Sequence, residues 1–226
     1  MKFNVIVCDC PWSPADGLNM NATKRGAASN YTTMSTDDLC ALPIKDLTDT
    51  DGCVLALWVI GSMLEDGMRV MKSWGFQQKQ TFVWCKTKKP KSLTKILKST
   101  LDIALQNNID DTIKLAKDSV ISLGDYVLGF GLGRLFRQTH ELCLIGVNNT
   151  KIYKHLQNRA QRSVCFDENK GHSIKTENLQ DRLDIMFPGG KKVELFARRQ
   201  RRGWTCVGDG VSNEDIRISL EKIINA

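Results

Sequence analysis

Residues 3–12 run Phe3-Asn4-Val5-Ile6-Val7-Cys8-Asp9-Cys10-Pro11-Trp12. The apolar run Phe3–Cys8 predicts a short buried strand. An acid, a proline and an aromatic directly after it place the strand end at the mouth of a site, because open α/β sheets bind ligands at the carboxyl ends of their strands. Asp9 offers a carboxylate and Cys10 a backbone carbonyl, both hydrogen-bond acceptors. Pro11 supplies a rigid turn, and Trp12 an indole that can stack. Two acceptors beside an aromatic face are what is needed to hold the exocyclic amine of a flipped-out nucleobase. Each residue also has a plainer reading: a strand-end cap for Asp9, a strand stop for Pro11, a core or rim aromatic for Trp12.

Outward from this strand, apolar runs alternate with helical patterns. Ser35-Thr36-Asp37-Asp38-Leu39 opens a helix with a capping serine and early acids. Gly52–Ile60 reads as a strand buried on both faces, and Ser62–Trp74 as a helix ended by Gly75. Strands follow at Gln80–Cys85 and Thr139–Val147, then a helix at Thr176–Met186, a Pro188-Gly189-Gly190 turn and a strand at Lys192–Ala197. A final amphipathic helix covers Ser212–Ile224. The alternation predicts an α/β fold with a doubly wound, mostly parallel sheet. The 226 residues suit a single domain, 1–226.

Composition narrows the classes. No run is long and apolar enough to span a membrane, and Met1 opens almost directly into the first strand, so no targeting segment is expected. The 8 cysteines sit mostly inside apolar runs. With no Cys-x-x-Cys and no Cys/His cluster, a reduced cytoplasmic compartment and no metal site are expected. The net charge of +7 and pI near 9.0 favour an anionic partner, nucleic acid first.

The segment 87–126 stands apart. Leu93, Ile96, Leu97, Leu101, Ala104 and Leu105 fall at helical spacing, and Ile113, Ala116 and Val120 continue it after Asp110-Asp111, an N-cap candidate. Lys86, Lys88, Lys89, Lys91, Lys95 and Lys98 crowd its start without an acid among them. A helical insertion is expected, used for target recognition or partner contact. Its lysines either solvate a helical hairpin or meet phosphates, with Lys88, Lys89 and Lys91 as the substrate-binding candidates. In the glycine- and asparagine-rich stretch from Gly17 to Asn30, Lys24 and Arg25 are available to phosphates. Tyr31 is either a wall of the base pocket or plain packing.

Taken in order, Asp9-Cys10-Pro11-Trp12, Tyr31-Thr32-Thr33-Met34-Ser35, Leu42-Pro43-Ile44, Leu57-Trp58-Val59, Trp74-Gly75-Phe76, Val83-Trp84-Cys85-Lys86, His140–Gly146, Ser173-Ile174-Lys175 and Glu194-Leu195-Phe196-Ala197-Arg198 resemble the methyltransferase-A seventy-kilodalton-subunit family. Its members include eukaryotic RNA enzymes and many bacterial and phage DNA adenine methyltransferases. The match covers nearly the whole chain except 87–126. The resemblance implies a Rossmann-like, class I fold that uses S-adenosylmethionine, with permuted motif order: catalytic tetrapeptide first, target recognition next, cofactor strand last. It implies catalytic roles for Asp9, Cys10, Pro11 and Trp12. It implies cofactor contacts from Asp9, Lys175, Phe196, Arg198, Gln200, Asp209 and Gly210.

Three departures from the family pattern stand out. Cys10 replaces a proline; it keeps the carbonyl and loses only φ restriction, so activity is expected to survive. Larger relatives carry a strand and acidic loop upstream of the first strand; here the adenine pocket is expected to be more open or completed elsewhere. Gln200 and Arg201 stand where the eukaryotic RNA enzyme has His and Asn. The implied reaction is methyl transfer to the N6 amine of adenine in DNA. The same reaction on RNA is the alternative, and a catalytically silent nucleic-acid-binding partner subunit the third reading. A homo- or hetero-dimer is compatible with all three.

Overall fold

The computed structural model of the chain describes residues 1–14, 33–88, 98, 102, 127–129, 131, 135–171 and 174–226, and among these residues there are seven strands. They are β1 (Val5–Asp9), β2 (Val54–Val59), β3 (Gln77–Thr87), β4 (His140–Val147), β5 (Val164–Glu168), β6 (Lys192–Leu195) and β7 (Thr205–Val207). Their order is β5-β3-β4-β2-β1-β6-β7. The described helices are α1 (Thr36–Cys40), α2 (Leu64–Ser73), α3 (Asn178–Met186), α4 (Asp209–Ser212) and α5 (Ile216–Asn225). The chain divides into two compact units. One comprises Met1–Phe82, Leu142–Ser163 and Leu179–Ala226, the other Val83–Glu141 and Val164–Asn178.

In the first unit β1 is central. It pairs in parallel with β2 on one side and β6 on the other, and β7 adds in parallel outside β6. β4 runs antiparallel to β2, so the sheet is mixed. Side chains alternate between faces along each strand. Ile6 and Cys8, Leu55 and Leu57, and Val193 and Leu195 project to one face. There they form the core with Leu39 of α1, Val70 and Met71 of α2, and Leu220 of α5. The opposite face carries Val5, Val7, Ala56 and Trp58, also buried. α3 lies over that face, since its Asp184 reaches Lys192 at 3.4 Å. Helices on both faces explain why β2, Val-Leu-Ala-Leu-Trp-Val, is buried at every position. This is the doubly wound α/β arrangement expected from the sequence. Strands β5 and β7 are additions to it.

Local signals account for the helix ends. Ser35 caps α1, its hydroxyl accepting the Asp38 N–H at 3.1 Å. Gly75 follows α2 at φ +82°, a conformation glycine adopts without steric cost. Among the described residues no helix is long and apolar enough to cross a membrane.

In the second unit, Val83–Thr87 of β3 pairs in parallel with β5. Trp84, 1% exposed, donates its indole N–H to the Asp167 carbonyl at 3.0 Å. The Asp167 carboxylate in turn accepts from Thr176 at 2.5 Å and from the Asn178 amide at 3.1 Å.

Candidate active site

The chain runs from β1 to β2 on one side and reaches β6 on the other, so the strand order reverses at β1. In open α/β sheets that switch point, at the carboxyl ends of the strands, is where ligands bind. Asp9 is the last residue of β1 and is half-buried. Cys8 pairs with Leu195 and Leu195 with Val207, so the exits of β1, β6 and β7 lie along one edge of the unit.

Three bonds help to hold the tetrapeptide. Trp12 donates its backbone N–H to the Cys10 carbonyl at 2.9 Å, and Met34 donates to the Pro11 carbonyl at 2.8 Å. The Trp12 indole N–H donates to the Trp58 carbonyl at 2.9 Å. Trp58 is the register partner of Asp9, so the indole ties the turn to the strand beside the carboxylate. Of its two readings, the structure puts Trp12 among the core aromatics. Its side chain is 3% exposed and belongs to the core, because the turn folds the indole inward over β2. Cys10 is buried too, its thiol 3.2 Å from that of Cys8. Burial, and then the hydrogen bond with Cys10, push the Cys8 thiol up. Asp9 projects to the opposite face of the strand from these thiols.

The β6 exit is strained. Phe196 sits at φ +56°, in the left-handed region that bulky residues avoid. The Ala197 N–H is held by the Val207 carbonyl at 2.9 Å. Gly208 has φ +152°, and a Cβ on it would lie 2.6 Å from the Ala197 nitrogen. A Cβ on Gly210 would lie 2.6 Å from the Cα of Arg198. Only glycines let the β7–α4 turn lie backbone to backbone on the β6 exit. The fold thus brings together Phe196, Arg198, Asp209 and Gly210, with exposed Gln200 on the same loop.

Arg201 is tied to acids of α3. It bridges Asp181 at 2.6 Å and Asp184 at 2.9 Å, and its guanidinium lies 5.8 Å from the centre of the Trp204 ring. Trp204 donates its indole N–H to the same Asp184 at 3.0 Å. These contacts brace the loop against α3.

Glu194 is the residue that sequence reasoning passed over. It pairs in register with Val7, so it shares a sheet face with Asp9. Burial raises its carboxyl above the ordinary range. The Gln180 hydrogen bond and Arg199 pull the other way, and the charge of Asp9 adds to the rise. A lone acid inside the apolar strand Lys192–Leu195 was the available signal. A raised folded value means that its contribution to stability is complete below the ordinary carboxyl range. That contribution is lost as pH rises through the raised value. Glu194→Gln is therefore expected to raise the melting temperature at neutral pH and to flatten its fall as pH rises above the ordinary carboxyl range. Melting curves over that rise in pH check this, and a variant with the wild-type pH dependence would contradict it.

Residues 3–120 and 111–210 match the family described as MT-A70. The chain belongs to the MT-A70 family. A putative N(6)-adenosine-methyltransferase MT-A70-like protein of Medicago truncatula is 24% identical over 213 residues, covering 93% of this chain and 27% of the relative. The N(6)-adenosine-methyltransferase catalytic subunit METTL3 of Homo sapiens is 23% identical over 210 residues, covering 92% of this chain and 28% of the relative. The type II methyltransferase M.MunI of a Mycoplasma species is 24% identical over 235 residues, covering 97% and 82%. The chain spans about a quarter of the length of the plant and animal MT-A70-like relatives.

Within this MT-A70 chain the second unit carries its own charged cluster. Glu141 accepts Lys86 at 2.5 Å and Lys175 at 3.2 Å, with all three side chains about a fifth exposed. Burial alone would raise the Glu141 carboxyl. The Lys175 charge, and the hydrogen bond and charge of Lys86, outweigh it and hold the carboxyl low. The Lys86 ammonium also lies 5.3 Å from the Trp84 ring centre. Lys175, expected at the cofactor, thus has Glu141 as a partner. Lys88 is half-buried, its backbone N–H donating to the Val127 carbonyl at 2.9 Å. Lys24, Arg25, Tyr31, Lys89, Lys91, Asp110 and Asp111, with most of the 87–126 segment, lie outside the described residues. All eight cysteines are free thiols.

Proposed function

We propose that this chain transfers a methyl group from S-adenosylmethionine to the N6 amine of adenine in DNA. The observation that carries the reading is Asp9, half-buried at the carboxyl end of the central strand, beside a turn whose carbonyls and indole are fixed. The adenine amine is a poor nucleophile because its lone pair is delocalised into the ring. Asp9 would accept one amine hydrogen. The Cys10 carbonyl accepts Trp12 through one lone pair and has a second for the amine. Two acceptors draw the amine toward tetrahedral geometry and localise its lone pair. The Asp9 charge also opposes the positive charge that develops there. Positioning then does most of the work.

The residues present fit the cofactor. Asp9 and Glu194 put two carboxylates on one sheet face, a setting for a cationic ligand. Asp209 can accept from ribose hydroxyls. Gln180, 3% exposed, keeps a buried side-chain oxygen without a hydrogen-bond partner among the described residues. When bound, S-adenosylmethionine supplies an activated methyl group on a sulfonium centre. Phe196, Arg198, Gln200, Asp209 and Gly210 would hold it along the β6 and β7 exits.

The basic balance of the chain supports a nucleic-acid substrate, and its 82% coverage of the type II methyltransferase supports DNA. The N(6)-adenosine-methyltransferase relatives support the RNA alternative. Retention of Asp9, Pro11 and Trp12 argues against a silent partner subunit. Nucleoside mass spectrometry after incubation with the cofactor and equal amounts of DNA and RNA separates the readings. N6-methyldeoxyadenosine is expected. N6-methyladenosine alone would move the assignment to RNA, and neither product would favour the silent subunit.

A further inference from the structure

Within the second unit, Gly131 and Gln138 bridge antiparallel, and the Gly131 N–H donates to the Gln138 carbonyl at 3.1 Å. A Cβ on Gly131 would lie 2.5 Å from that carbonyl oxygen, so the close approach of the two legs requires glycine. On the Gln138 side, Leu135 is 93% exposed and Phe136 87%. No other large apolar side chain described exceeds 66%. Leaving two such side chains together in water is unfavourable unless a partner covers them.

The surroundings select the partner. Arg137, Gln138 and His140 are exposed beside the pair. From Val127 to His140 the sequence holds no acid, and the chain carries a net charge of +7. An exposed apolar pair with one-signed, hydrogen-bonding neighbours suits a polyanion whose interior is stacked and apolar. We propose that Leu135 and Phe136 form a wedge that inserts between the base pairs of duplex DNA, with Arg137 on a neighbouring phosphate. Apolar wedges of this kind unstack a base step and kink the duplex. Extruding a base for chemistry requires unstacking. The inference rests on the proposed nucleic-acid function for the identity of its partner.

The test uses the full chain and a duplex in which a fluorescent adenine analogue brightens when unstacked. Wild type is expected to raise the fluorescence on binding. Leu135→Ser with Phe136→Ser should abolish the rise and weaken duplex binding about tenfold or more, at an unchanged slope of affinity against salt. Arg137→Gln should flatten that slope by about 0.9. Both residues are exposed, so the circular dichroism and melting temperature of the double variant should match wild type. Wild-type fluorescence and affinity in the double variant would overturn the wedge. So would wild-type DNA affinity combined with a loss of self-association, which would make the pair a protein interface. Methylation by wild type without any fluorescence rise would sink the wedge and leave the methyltransferase reading standing. A rise without methylation would do the reverse.

Discussion

Asp9→Ala is expected to lower the proposed methyl transfer by about 10²–10³-fold while leaving the protein folded. Loss of one preorganised electrostatic group at a reacting centre typically has that effect. The fold should stand because the Asp9 side chain is not part of the apolar cluster that joins β1, β2 and β6 to the helices. Asp9→Asn separates the contributions. It keeps an acceptor oxygen and loses the charge, so it should recover part of the rate. Single-turnover kinetics at saturating cofactor, with circular dichroism as the folding control, check both variants. Near-wild-type turnover by Asp9→Ala would remove the carboxylate from the mechanism.

Trp12→Ala should act first on stability. Truncating a buried aromatic typically costs about 3–5 kcal/mol, a large share of the roughly 5–15 kcal/mol that holds a domain folded. The deletion also removes the N–H that meets the Trp58 carbonyl. Trp12→Phe keeps most of the volume and loses that bond, an expected change of about 0.5–1.5 kcal/mol. Urea unfolding at equilibrium should rank wild type above Trp12→Phe and Trp12→Ala last. A Trp12→Ala midpoint equal to that of wild type would show that the indole is not a structural anchor. Activity lost in Trp12→Ala must be compared with Trp12→Phe before any of it is assigned to base stacking.

The two tetrapeptide residues show what the sequence could and could not reveal. Asp9 was legible because a β-rich run followed by an acid marks a strand end, and strand ends are where α/β sites form. The direction of the Trp12 side chain was not legible, since it depends on how the turn folds over β2, whose Trp58 lies 46 residues later. The Ser35 cap and the Gly75 stop were readable because both act locally. β7 escaped notice because three residues are too few for a period to emerge. β5 escaped because it is short, ends in Asp167 and Glu168, and leaves Phe166 at 66% exposure. The ion pairs of Arg201 were not legible. Its acids, Asp181 and Asp184, are neighbours only once α3 packs beside the loop. Glu194 took its character from register with Val7, a long-range pairing.

The proposed chemical event is the transfer of a methyl group to an adenine amine, and the family membership and the arrangement of the β1, β6 and β7 exits are its support. The most direct measurement supplies the protein with S-adenosylmethionine deuterated on its methyl group and with adenine-containing DNA, then locates the label by fragmenting the nucleosides. The account predicts deuterated methyl on the N6 amine of deoxyadenosine with wild type, and its loss by about 10²–10³-fold in initial rate with Asp9→Ala. Label on cytosine, or on a ring nitrogen of adenine, would contradict the account. So would label appearing equally with Asp9→Ala.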